Sequence, residues 1–191
     1  MKNKDLKKVY NSVYSKGSSG FYTYSSFPES LAIIQLISNW ANLDVLEIGC
    51  GEGRLAAMLC FAEAHRVKAI DYSKEAIEIA SSRLSLPALE LACQDYKEER
   101  ERYDVVILQG VLEHMDCPWQ TLEEVMKNNV KKGGYLITSS PSFVNPRGYV
   151  WMALKTLLEV PMSLSDLHVL CPHDFEEFAE KNGLDLEMVA V

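Results

Sequence analysis

Apolar residues recur along this chain at the spacing of a helix and then at that of buried strands. Leu6, Val9, Tyr10, Val13 and Tyr14 fall at i, i+3, i+4, i+7 and i+8, which predicts one apolar helix face over residues 3–16. The stretch "GSSGFYTYSS" breaks that pattern. "SFPE" then opens a second helix, with Ser26 as N-cap, Pro28 in the first turn and Glu29 completing a capping box, and the pattern carries it to about Asn42.

From there short apolar runs alternate with amphipathic stretches. "DVLEIG" reads as a strand and 53–64 as a helix; "RVKAID" is a strand, and "SKEAIEIASSRL" a helix capped by Ser73. "PALELACQD" and "YDVVILQG" give two more strands, with a helix over about 118–130 after the second. "GGYLITSS" is a strand behind a Gly-Gly turn. A helix is expected around 148–159, another in "DFEEFAEKNG" ending at Gly183, and a last strand in "LDLEMVAV". Near-continuous apolar strands alternating with helices predict a doubly wound, mostly parallel α/β sheet covered on both faces. Ligands of such sheets sit beyond the carboxyl ends of the strands.

Composition narrows the class. Of 191 residues, 48% are hydrophobic and 24% charged, which suits one globular domain with one core. Twenty-seven acidic against 19 basic side chains leave a net charge of -8, a poor match for a phosphate backbone. The five cysteines contain no C-x-x-C pair, and "MKNKDLKKVY" is not followed by an apolar leader core. No apolar run reaches the roughly 20 residues of a membrane span. The expectation is a cytoplasmic protein without integral membrane contact.

The chemistry gathers at "DVLEIGCGEGRLAAML". A phosphate-binding P-loop needs G-x-x-x-x-G-K-[ST], and no such Lys is present. The dinucleotide fingerprint G-x-G-x-x-G has Arg54 where its third Gly or Ala belongs. What stands here is Gly49, Gly51 and Gly53 around Cys50, preceded by Glu47 in the strand. A carboxylate repels a pyrophosphate but suits a cation. Asp71 ends the second strand, placed to accept both hydroxyls of a ribose, and Asp95 follows the third, placed to accept from an adenine amino group. A cationic ligand with ribose and adenine and no phosphate describes S-adenosylmethionine. Taken singly, the glycine turn is also a tight structural turn, Asp71 also a helix cap and Asp95 also a solvated loop acid.

The pieces "VLEIGCGEG", "AIDYS", "CQDY", "YDVVILQGVLEH" and "KKGGYLITSSPS", between Val45 and Ser140, together resemble the class I S-adenosylmethionine-dependent methyltransferases, of the type 11/12/23 kind. The "LEHM" stretch is most similar to the quinone-biosynthesis O-methyltransferases. The resemblance implies a Rossmann-like, seven-stranded sheet with the cofactor across the ends of its first four strands and S-adenosylhomocysteine as product. It implies Glu47 and the backbone at Gly49, Cys50 and Gly51 at the methionine part, Gly53 completing the turn, and Asp71 at the ribose. Tyr72 would pack on adenine, Asp95 and Tyr96 meet its edge, and Gln109 border the methionine moiety. It implies one domain over 1–191: helices and a lid at 1–42, a cofactor-binding core at 43–140, and a substrate-side segment at 141–191. Because the chain stops after "LDLEMVAV", the last antiparallel strand is expected to be missing or altered; a monomer or a homodimer is expected, a bare sheet edge being one that promotes dimerisation.

Methyl transfer from a sulfonium needs alignment first and a base only when the acceptor must lose a proton. His114 is the candidate base or substrate contact, its alternative being a packed loop histidine. Tyr22, Tyr149, Trp151 and His168 are candidate substrate contacts, and Tyr14, Phe21, Tyr22 and Tyr24 candidate lid residues hinged at Gly17 and Gly20. Phe143 and Met152 would help roof an apolar acceptor. No metal is expected: Gly110 stands where some relatives carry a third ligand before Glu113 and His114, and "HVLCPHD" spaces His168, Cys171 and His173 like no known site. The [DN]-P-P-[FYW] motif of nucleic-acid enzymes is replaced by "LQGVLE", so a small-molecule acceptor is expected and a nucleic acid is not. Two other classes stand beside the enzyme: a non-catalytic binding subunit of the same fold, and a nicotinamide-dependent oxidoreductase.

Overall fold

The structure, a computed structural model, describes residues 3–15, 27–141, 146–158 and 167–190. Two helices, α1 (Asn3–Ser15) and α2 (Phe27–Leu36), precede an alternation of strand and helix. It runs β1 (Asp44–Ile48), α3 (Arg54–Phe61), β2 (Arg66–Asp71), α4 (Lys74–Arg83), β3 (Leu89–Cys93), β4 (Tyr103–Gln109), α5 (Pro118–Asn129) and β5 (Val130–Ser139), and then α6 (Pro146–Leu158) and α7 (Pro172–Asn182). All pairings are parallel, in the order β3-β2-β1-β4-β5.

The strands are buried on both faces, which explains their continuous apolar sequence. Val45, Val67, Ala69, Val105 and Ile107 pack with Ile33 of α2, Leu55 and Leu59 of α3 and Ile77 of α4. Their alternates Leu46, Ile48, Ile70, Val106 and Leu108 pack with Val125 of α5. The sheet therefore has helices on both faces, and the carboxyl ends of β1 to β4 open together along one edge.

Three expectations are corrected. The second helix stops at Leu36 rather than Asn42, because Trp40 folds back and donates its indole N–H to the Ile34 carbonyl at 3.0 Å. The Gly-Gly pair does not precede β5 but lies within it, as an irregularity where the partner register jumps from Tyr103↔Val130 to Val105↔Tyr135. The "LDLEMVAV" strand does not form: residues 184–190 belong to no strand, and Leu184, Leu186, Met188 and Val189 are exposed. Their alternating pattern is strand-like, but among the described residues no neighbouring strand pairs with them, and β5 is the sheet edge. The sheet has five described strands rather than the seven implied.

The glycine pair yields a test. A Cβ on Gly134 would lie 2.6 Å from the Asp104 carbonyl oxygen and 3.0 Å from that of Lys131, both backbone atoms. Gly133 has φ +77 but no atom within 4 Å of an added Cβ. Gly134→Ala should cost about 2–3 kcal/mol by overpacking and Gly133→Ala about 1 kcal/mol by torsion alone. Urea midpoints of the two variants check this, and equal losses would contradict the steric account.

Candidate active site

The strand ends enclose a cavity of about 1510 Å³. Its floor is the turn after β1. Gly49, Gly51 and Gly53 take φ of +75, +54 and +76, the left-handed region glycine favours. The turn is tied to β2 by the N–H groups of Gly49 and Cys50, which donate to the Ile70 carbonyl at 2.8 and 3.1 Å. A Cβ at Gly49 would meet Val111 Cγ2 at 2.5 Å, so the turn and the loop after β4 are in direct contact.

Glu47 lies beneath this turn, only 3% exposed, and lines the cavity. Gly53 offers α3 no side-chain cap, and Ala56, in the helix's first turn, turns its backbone N–H towards the Glu47 carboxyl. Burial pushes that carboxyl up to about 8, Ala56 opposing and Asp71 adding to the rise. The Cys50 thiol is also pushed up, by burial first and then by Glu47 and Asp71.

Asp71, at the end of β2, is buried and bonded at both oxygens. Oδ2 accepts from Gly51 N–H at 2.9 Å and Oδ1 from Ser73 N–H at 2.7 Å. Ser73 is the cap of α4, its Oγ accepting from Ala76 N–H. Asp71 thus joins the glycine turn to the start of α4, and burial raises its carboxyl against those bonds and the Lys7 charge. After β3, Asp95 Oδ1 accepts from Lys97 N–H at 2.9 Å, shaping a single 3-10 turn at 96–98. Tyr96 hydroxyl lies 3.3 Å from Thr121 Oγ1 and donates to Glu124 Oε2 at 3.2 Å, which fixes its ring against α5. Asp71, Tyr72, Asp95, Tyr96 and Gln109 all line the cavity.

The β4 end holds a network that sequence reasoning read differently. Ser30 Oγ donates to Gln109 Oε1 at 3.0 Å, and Gln109 Nε2 donates to Glu29 Oε2 at 2.9 Å. Glu29, expected to complete a capping box with Ser26, which lies outside the described residues, lines the cavity wall with Ser30. His114 lines the same wall, its Nε2 3.9 Å from Oε1 of Glu113. Glu113 is buried; its other oxygen accepts from Ser140 Oγ at 3.2 Å, and its carbonyl from the N–H groups of Leu167 and His168.

Helix α1 supplies a wall that its sequence signalled only as an apolar face. Tyr10 packs edge-on to Tyr72 and to His114, with ring centroids 6.3 and 6.0 Å apart, and lies 6.4 Å from Tyr14. It bridges the end of β2 to the loop after β4. A Cβ at Gly51 would meet the Tyr14 hydroxyl at 2.8 Å, and Lys7 Nζ lies 5.9 Å above the Tyr72 ring. Lys7, Tyr10, Glu29 and Ser30 were not read from the sequence as site residues; the i, i+4 aromatic pair was the available signal.

Tyr149 is 56% exposed on α6 and is not among the described cavity-lining residues. Trp151 and Met152 stand on the same helix, and their side chains lie outside the described residues. His168 is tethered by its backbone to Glu113 and is likewise not among the described lining residues. Phe21, Tyr22, Tyr24, Gly17, Gly20, Ser26 and Phe143 fall outside the described residues. The "HVLCPHD" group is spent on α7: Cys171 N–H donates to Asp174 at 2.7 Å, and His173 pairs with Glu176 and Glu177.

A parallel β3-β2-β1-β4-β5 sheet, a glycine turn after β1 and an acid at or after each of its first three strands form the class I S-adenosylmethionine-dependent methyltransferase fold. Residues 46–138 match the family described as "Methyltransferase domain", and this part of the chain belongs to that superfamily. The chain is 32% identical over 145 residues to malonyl-(acyl-carrier protein) O-methyltransferase of Priestia megaterium, covering 71% of this chain and 50% of that protein. It is 34% identical over 143 residues to the mitochondrial ubiquinone biosynthesis O-methyltransferase of Candida albicans, covering 69% of this chain and 43% of that protein. The chain thus spans about half the length of these curated relatives. In fold it is similar to the magnesium protoporphyrin IX methyltransferase of Synechocystis, solved with bound S-adenosylhomocysteine. There the TM-score is 0.77 at 17% identity, covering 94% of this chain and 88% of that one.

Proposed function

We propose that this chain binds S-adenosylmethionine across the ends of β1 to β4 and transfers its methyl group to a hydroxyl or amine of a small-molecule acceptor, releasing S-adenosylhomocysteine. The observation that carries the reading is the convergence of Glu47 with its glycine turn, Asp71 and Asp95 on one cavity, in register at three adjacent strands. Glu47 and the backbone at Gly49, Cys50 and Gly51 hold the amino-acid end. Asp71 takes the ribose, Tyr72 and Tyr96 flank the adenine and Asp95 accepts from it, and Gln109 borders the methyl.

The acceptor's oxygen or nitrogen attacks the methyl carbon in line, and the carbon–sulfur bond breaks with its electron pair returning to sulfur. The site's task is alignment within a covered cavity, and α1 with Tyr10 and Tyr14 acts as the cover. His114, at the β4 side beside Gln109, receives the acceptor's proton. A hydroxyl or amine suits this wall, because Glu29 and Gln109 offer it acceptor oxygens. The net charge of -8 argues against a nucleic acid. All five cysteines are free thiols, which suits a reducing cytoplasm, and among the described residues no helix is long and apolar enough to cross a membrane.

Titration calorimetry with S-adenosylmethionine, followed by a methyl-release assay over phenols, amines and carboxylic acids, tests the reading. Binding with turnover of a phenol or amine is expected. Binding without turnover of any acceptor leaves a non-catalytic subunit, and binding of a nicotinamide nucleotide instead returns the oxidoreductase. His114→Ala should lower kcat roughly 10²-fold for an acceptor of high pKa and little for one already ionised. Equal losses for both would remove His114 as the proton acceptor.

A further inference from the structure

Glu47 is a buried carboxyl with one oxygen to spare. Its Oε2 is buried with no hydrogen-bond partner, and the first turn of α3 lies beside the carboxyl at Ala56. The groups facing it are Asp71 from β2, Cys50 from the glycine turn and Cys60 from α3, and in the register of β4 it lies beside Ile107. None of these is a cation. An ionised carboxylate buried among an acid and two thiols would be left without compensation, whereas the neutral acid is tolerated. Glu47 belongs to the wall of the cavity, below the turn on which the amino-acid end of the cofactor would rest.

We propose that Glu47 stands as a neutral carboxylic acid in the empty site and gives its proton to solvent when the ammonium of the cofactor's amino-acid end docks against Oε2, so that cofactor loading is coupled to proton release. The inference rests on the cofactor reading above. The balance is simple: a neutral acid and an ammonium enter, and a carboxylate–ammonium pair and one solvent proton leave. The same side chain then serves as the counter-ion of the ligand and carries no uncompensated charge before the ligand arrives.

Burial's push on this carboxyl to about 8 puts the linkage in the physiological range. Free α-amino groups titrate at about 8, so the clean window is from about pH 6 to about pH 7.5, where the ligand is still an ammonium and the empty site still holds its proton. There affinity should rise up to about tenfold per pH unit. Asp71 faces Glu47 from β2; its bonds to the N–H groups of Gly51 and Ser73 and the charge of Lys7 oppose the rise that burial gives it, and Glu47→Gln assigns the pH slope between the two carboxyls.

The test is calorimetry at about pH 7 in two buffers of different ionisation enthalpy. S-adenosylhomocysteine should release on the order of one proton per molecule bound. 5′-Methylthioadenosine, which keeps the nucleoside and lacks the amino-acid end, should bind with none. Glu47→Gln keeps the size of the side chain and cannot ionise, and S-adenosylhomocysteine should bind to it without proton release and without the pH slope. Binding of S-adenosylhomocysteine to the unaltered protein with no proton released overturns the proposal. So does a Glu47→Gln protein that still releases one. If that variant does not fold, the comparison of the two ligands on the unaltered protein decides alone. If neither S-adenosylmethionine nor S-adenosylhomocysteine binds, the cofactor reading itself falls, and this coupling with it.

Discussion

Asp71→Ala should weaken S-adenosylmethionine binding by at least about 100-fold, which is about 2.7 kcal/mol, and should also lower stability. Two losses combine. The carboxylate proposed for the ribose hydroxyls disappears, and the N–H groups of Gly51 and Ser73, now satisfied at 2.9 and 2.7 Å, lose their acceptor. A buried donor left unpaired costs about 1–3 kcal/mol, and here one of the two belongs to the glycine turn itself. The turn should loosen where the ligand would rest on it. Asp71→Asn separates the contributions: its single oxygen can serve one N–H while its amide nitrogen opposes the other, so it should fall between the wild type and Ala. Calorimetry for affinity and thermal melts for stability check the series. An Asp71→Ala protein that binds the cofactor within about threefold of wild type would show that Asp71 only braces the turn and takes no ribose.

The position of Asp71 shows why the candidate site was partly legible in the sequence. Residues at strand ends are placed by the strands, and the strands are written in apolar runs whose register follows from burial. Glu47, Gly49, Asp71, Asp95 and Gln109 could therefore be located from one another. The capping alternative for Asp71 also proves partly true, since one of its oxygens serves Ser73 at the entry to α4. Contacts contributed by segments distant in sequence were not legible. Tyr10 reaches Tyr72 and His114, and Glu29 reaches Gln109, because α1 and α2 fold over the strand ends, which no local periodicity reports. The last strand failed because alternation alone makes no strand; residues 184–190 have the pattern, but no described strand pairs with them. Lys68 was equally unannounced, a charge in the middle of the "RVKAID" strand.

Lys68→Met should cost about 3–5 kcal/mol, the penalty for stranding the partner of a buried ion pair. Lys68 is 11% exposed at its side chain and Glu99 only 2%, with Nζ and Oε2 2.8 Å apart. Glu99 also accepts from Gln94 Nε2 at 3.1 Å and from the N–H groups of Arg100 and Glu101 at 2.8 Å, and its carbonyl accepts from Asn129 of α5. The pair thereby pins the 94–101 loop, which carries Asp95 and Tyr96, onto the sheet. Burial pushes the Glu99 carboxyl up, but the Lys68 ammonium and the two N–H groups outweigh it and hold it at about 2. Between about pH 4.5 and about pH 2 the unfolded chain therefore binds a proton at Glu99 that the folded chain refuses. The pair's contribution is complete above about pH 4.5 and is lost as pH falls through about 2, a swing of about 3 kcal/mol. Urea midpoints measured from neutral pH downward should show this acid limb in the wild type and a shallower one in Lys68→Met, already weak at neutral pH. The double variant Lys68→Met/Glu99→Gln should lose less than the sum of the single losses, because neither charge is left stranded. Additive losses with an unchanged acid limb would mean that the two side chains do not act as a pair, and that the adenine-side wall of the cavity is held by the backbone bonds of its loop.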